Sequence, residues 1–78
     1  MKSNMTELFN RLCEEHSSFF ESWKITETRD SFYMQITPVG SVAVCCGGKK
    51  KSAYENRLDI QSLIDYAIRY SKKSRETE

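Results

Sequence analysis

The chain has 78 residues, a formal net charge of +1, 38% hydrophobic and 29% charged side chains, the profile of one small globular domain. Its longest uninterrupted apolar run is residues 42–46, far short of the ~18 residues a membrane span needs. Its three cysteines are an odd number without Cys-x-x-Cys spacing, which argues against a disulfide framework.

Met5, Leu8, Phe9, Leu12, Cys13, His16, Phe19 and Phe20 recur at three- and four-residue intervals, which predicts a helix from about residue 5 to about residue 19. Asn4 with Glu7 three residues on has the form of a capping box. The period then changes to two. Trp23 and Ile25 alternate with Lys24 and Thr26; Phe32, Met34 and Ile36 alternate with Tyr33, Gln35 and Thr37. This predicts a hairpin with the Trp-Ile and Phe-Met-Ile faces on the first helix and Tyr33, Gln35 and Thr37 facing away. Pro38, Val39 and Gly40 read as a turn. Residues 41–46 follow as a third strand, apolar on both faces and so expected to be better covered than the hairpin strands. Cys45 and Cys46 would then each enter a core on opposite faces.

Gly47 and Gly48 read as the exit from that strand, and Lys49, Lys50 and Lys51 as a charged loop. Residues 53–58 read either as a short fourth strand or as a backward extension of the last helix. The strand is favoured because Asp59 makes a natural boundary. Ile60, Leu63, Ile64, Ala67 and Ile68 mark one face of the final helix. The expected architecture is α+β: an N-terminal helix, three or four antiparallel strands and a C-terminal helix, with the helices on one face of the sheet. It forms a single domain over residues 1–78, ordered from about residue 4 to 72 with a frayed tail at 73–78.

The charge is unevenly placed. Residues 1–48 carry four basic and six acidic side chains, residues 49–75 eight basic and three acidic, and Glu76 and Glu78 follow. Basic charge therefore belongs to the C-terminal third, which bears on partners rather than on fold. His16, the one histidine, sits beside an apolar helix face with Cys13 at i−3. A structural zinc site needs four ligands, and Cys45 and Cys46 would leave a strand in opposite directions. No metal, cofactor or catalytic residue is assigned. Gly47, Gly48 and Lys49 lack the first glycine and the Ser/Thr of a P-loop.

Helix, three strands and helix with a lysine run before the last segment resembles a double-stranded-RNA-binding domain. The stretch from Phe32 to Val42, then Gly47, Gly48, Lys49, Lys50, Lys51, Ser52 and Ala53, is similar to that family's second strand, turn, third strand and Lys-Lys-x-Ala helix start. The resemblance covers residues 5 to about 58. It implies Lys50 and Lys51 on phosphates across a major groove. The hairpin loop at Thr28, Arg29, Asp30 and Ser31 is shorter than the family's minor-groove loop. The small-residue pair of its last helix would fall on Arg57 and Leu58.

Two functions from different classes follow. The first is a non-enzymatic protein-interaction module that occludes or recruits a macromolecular partner, in the manner of small phage or mobile-element inhibitors, with Tyr33, Gln35, Thr37 and Tyr54 as contact residues and homodimerisation as an option. The alternative is an RNA-leaning nucleic-acid-binding module that places Lys49, Lys50, Lys51 and Arg57 on phosphates. Near-neutral net charge, an acidic N-terminal half and lysines confined to one loop rank the protein partner first. The N-terminal residues show no apolar core behind their charge, so a cytoplasmic, membrane-free protein is expected.

Overall fold

The structure is a computed structural model that describes residues 5–76. The element order is α1 (Met5–Glu15), a 3₁₀ turn (Ser17–Phe19), β1 (Phe20–Glu27), β2 (Ser31–Pro38), β3 (Val44–Lys49), α2 (Ala53–Tyr70) and α3 (Lys72–Glu76). The α+β architecture is as expected from the periodicities. The Asn4 end of the expected capping box lies outside the described residues.

α1 stops four residues earlier than its apolar pattern. Ser17 and Ser18 are weak helix formers, and here they tighten into the 3₁₀ turn. The chain is then extended by Phe20. β1 and β2 pair antiparallel from Glu27↔Phe32 back to Phe20↔Pro38, with a bulge that leaves Glu21 as the extra residue. The loop is closed by Thr28, whose N–H donates to the Ser31 carbonyl at 2.9 Å and whose Oγ1 accepts from the N–H of Ser31 at 3.1 Å.

β3 corrects the expectation for residues 41–46. It starts at Val44, runs through both glycines to Lys49 and pairs with β2. The strand order is β1-β2-β3, so the covered central strand is β2 and β3 lies at an edge. Val42 precedes the strand and is 81% exposed. Cys45 is exposed and Cys46 half-buried rather than both core. The cause is the one-sided helix layer: both helices lie over the same face, so alternate β3 residues meet solvent whatever their polarity. The glycines are part of the ladder, Gly48 opposite Phe32 and Gly47 opposite Tyr33. A Cβ on Gly47 would sit 3.1 Å from both the Phe32 carbonyl oxygen and Tyr33 Cδ1, so the Tyr33 ring leans over backbone that glycine leaves bare.

Residues 53–58 are helix, not a fourth strand. Ser52 Oγ accepts from the Glu55 N–H at 3.2 Å, and Glu55 Oε1 accepts from the Ser52 N–H at 3.4 Å, a complete capping box. Buried Asn56 braces the entry. Its Oδ1 accepts from the Lys51 N–H at 2.8 Å, and its Nδ2 donates to the Lys51 carbonyl at 3.3 Å. Where a frayed tail is expected, the backbone turns at buried Ser71 into α3. The Lys72 N–H donates to the Val39 carbonyl at 2.8 Å. Beside it Gly40 has φ +75°, the left-handed region that glycine enters without steric cost.

The core lies between the helices and the inner sheet face. Met5, Phe9, Leu12 and Cys13 of α1 meet Phe32, Met34 and Ile36 of β2 and Ile60, Leu63, Ile64 and Ala67 of α2. Among the described residues no helix is long and apolar enough to cross a membrane.

Candidate interaction surface

Strand alternation places a second set of side chains on the helix-free face of the sheet. The register sets them in rows: Ser22 beside Thr37, Lys24 beside Gln35 beside Cys45, Thr26 beside Tyr33 beside Gly47, and Ser31 beside Lys49. Tyr33 stands at the centre and is 47% exposed. Cys45 beside it, first as a hydrogen-bond partner and then through the negative charge it would carry as a thiolate, raises the phenol's pKa above its ordinary value. Lys24 and Lys49 form no ion pair among the described residues. No carboxylate stands in these four rows. Tyr33, Gln35 and Thr37 are thus brought together as the alternation predicts. Lys24 and Cys45 belong to the same surface and were legible from the same alternation once the register is known.

The other predicted contact residues are dispersed. Tyr54 is 71% exposed in the first turn of α2, in the layer behind the sheet. Lys50 Nζ pairs with the Glu27 carboxylate, both side chains largely buried. Lys51 Nζ pairs with Asp59 at 3.1 Å. Arg57 lines a shallow groove of about 380 Å³ with Leu12, Glu15, His16 and Asp65, away from the lysines. Two of the three lysines are therefore held in internal ion pairs, and the expected loop cluster with Arg57 is not assembled. His16 is a boundary residue whose Nδ1 lies 3.0 Å from the Leu12 carbonyl. That oxygen can only accept, so Nδ1 carries the proton.

Glu27 faces inward at the end of β1. Its Oε1 accepts from the Thr6 N–H at 2.6 Å and from the Thr6 hydroxyl. A strand carboxylate thus satisfies an N-terminal amide of α1 that the helix cannot. Burial alone would raise the pKa of Glu27. The hydrogen bonds from Lys50 and Thr6 and the Lys50 charge outweigh it and hold the carboxyl at about 2.

The cysteines differ in the same way. Burial pushes the Cys13 thiol up to about 12, and burial followed by the Asp59 charge raises Cys46. Since the thiolate is the reactive form, a thiol-specific chromogenic reagent at neutral pH should titrate exposed Cys45 first, Cys46 more slowly and Cys13 only on unfolding. Fast reaction of Cys13 in the folded protein would contradict its place in the core. Among the described residues no group of three His, Cys, Asp or Glu side chains is placed to hold a metal ion. No protein-family model, no curated protein and no solved structure matches this chain.

Proposed function

We propose that the chain is a non-enzymatic interaction module that docks a protein partner on the open face of its sheet and so occludes or recruits it. One observation carries this reading: the face joins an exposed aromatic to two lysines without ion pairs and to amide and hydroxyl groups, with no carboxylate among them. Such a face suits a flat, acidic protein surface, with Tyr33 as the anchor and the lysines at its rim. The alternative, phosphates held by Lys49, Lys50, Lys51 and Arg57, has less to support it, because Lys50 and Lys51 already have carboxylate partners.

The test is capture of partners on the tagged full-length chain, with and without nuclease, using the wild type and Tyr33→Ala, Lys24→Glu and Tyr54→Ala. A stoichiometric protein that survives nuclease is expected. Tyr33→Ala should cost about 2 kcal/mol of binding, roughly thirtyfold in Kd. Lys24→Glu should also weaken it, and Tyr54→Ala should leave it intact. Loss of the captured species on nuclease treatment would favour nucleic acid instead. Undiminished capture by both sheet variants would reject the docking face.

A further inference from the structure

We infer that two copies of this chain pair through β3, antiparallel about a two-fold axis perpendicular to the sheet, to make one continuous six-stranded sheet with all helices on the same side. The inference rests on the edge of the sheet, not on its open face, and stands or falls separately from the docking proposed above.

β3 has β2 on one side and no strand on the other among the described residues. An edge of this kind presents unpaired N–H and C=O groups, and proteins blunt such edges with bulges, prolines or covering elements. The two edges of this sheet differ in that respect. β1 carries the Glu21 bulge. β3 has an unbroken register and no proline, and Cys45, Gly47, Gly48 and Lys49 along it are all exposed. Two adjacent glycines leave nothing to hold an incoming strand away.

The helix layer adds apolar area beside this edge. The Lys51–Asp59 ion pair fixes which flank of α2 faces the end of β3. Ser62, Tyr66 and Tyr70 lie three, seven and eleven residues after Asp59 and so share that flank. Tyr66 and Tyr70 are 48% and 41% exposed. Their rings meet edge to face at 4.8 Å. Leu58 borders the same stripe at 42%, and Val42, just before β3, is the most exposed large apolar side chain described. Six strand residues alone would bury too little for a stable dimer, which needs about 1,200 Å² or more in total. The tyrosine flank of α2, brought beside its own copy across the axis, supplies the remainder.

Symmetry and charge select a second copy as the occupant. A two-fold axis midway between a β3 residue and its own copy pairs positions of equal parity, so inner residues stay inner and the two helix layers fall on one side. Antiparallel pairing sets Lys49 of one copy at the far end of the strand from Lys49 of the other, about 20 Å away and beyond the ~8 Å screening length of physiological salt. A parallel strand with the same basic end would place those charges together. With a net charge of +1 per chain, two copies repel each other little.

Sedimentation equilibrium of the full chain over a concentration series tests the inference. The wild type should reach twice the 9.1 kDa chain mass. Tyr66→Glu and Leu58→Glu, both on exposed positions, should shift the dimer Kd by about a hundredfold while far-UV circular dichroism stays native. Tyr33→Ala should dimerise like the wild type. A wild type that remains monomeric up to about 1 mM, a Kd weak enough to discount, would overturn the inference. So would a dimer that survives both glutamate variants, or one that Tyr33→Ala dissolves.

Discussion

Phe9→Ala is expected to remove most of the stability of this domain. Phe9 is fully buried in the middle of α1, where Met34 and Ile36 of β2 and Ile60 and Ile64 of α2 belong to the same cluster. Truncating a buried phenylalanine costs about 3–5 kcal/mol, the transfer term plus the cavity left behind. The whole domain is worth roughly 4–12 kcal/mol at 0.05–0.15 kcal/mol per residue. A chain this short buries only about 60% of its unfolded surface, so the lower half of that range applies and the variant should keep about half or less of the wild-type stability at 25 °C. Urea unfolding followed by circular dichroism measures it. Tyr54→Ala, at a position 71% exposed, should change stability by no more than about 0.5 kcal/mol. A loss below about 1 kcal/mol for Phe9→Ala would mean that α1 does not pack where it is placed.

The parts of the fold legible in the sequence are those where periodicity and burial agree. α1 and the hairpin face of Phe32, Met34 and Ile36 are of this kind, because each apolar residue in the pattern has a helix or a sheet opposite it. β3 fails that agreement. Its apolar residues are consecutive, yet only Val44 and Cys46 face the helices, and Val42 packs on nothing that excludes water. Glycine reads as a chain exit, but Gly47 and Gly48 hold strand register because Tyr33 and Phe32 project beside their bare backbone. The start of α2 was written plainly as Ser52 with Glu55 three residues on. Asp59 competes as a boundary in sequence, while in space it is the partner of Lys51. The candidate surface was legible in Tyr33, Gln35 and Thr37, which share one strand. What lies in neighbouring strands, Lys24 and Cys45, depends on pairing register, and that is set by the turn and the core together. The fate of the lysines was hidden for the same reason, since Glu27 and Lys50 are 23 residues apart.

Glu27 is the second position with a large expected effect, and it makes the fold acid-sensitive. Its carboxylate joins three elements: it accepts from Thr6 at the start of α1, ends β1, and pairs with Lys50 after β3. The folded pKa is about 2 against an ordinary 4.5. A depressed carboxyl pKa favours the folded state above the unfolded value, so this contribution is complete above pH 4.5 and is lost as pH falls from 4.5 toward 2. Glu27→Gln keeps the shape but not the charge. It leaves Lys50 largely buried without its counter-ion and weakens the tie to α1, and should cost about 1–3 kcal/mol at pH 7. Its stability should fall less steeply than that of the wild type over the same acid window, because the titrating group is gone. Lys50→Met in the wild-type and Glu27→Gln backgrounds completes a double-mutant cycle that isolates the ion pair from the Thr6 bonds. Additive losses, with an unchanged acid slope in Glu27→Gln, would show that Glu27 does not join these elements. A coupling of about 1 kcal/mol or more would place the middle lysine of the triplet inside the fold, which leaves Lys49 as the triplet's contribution to the open face.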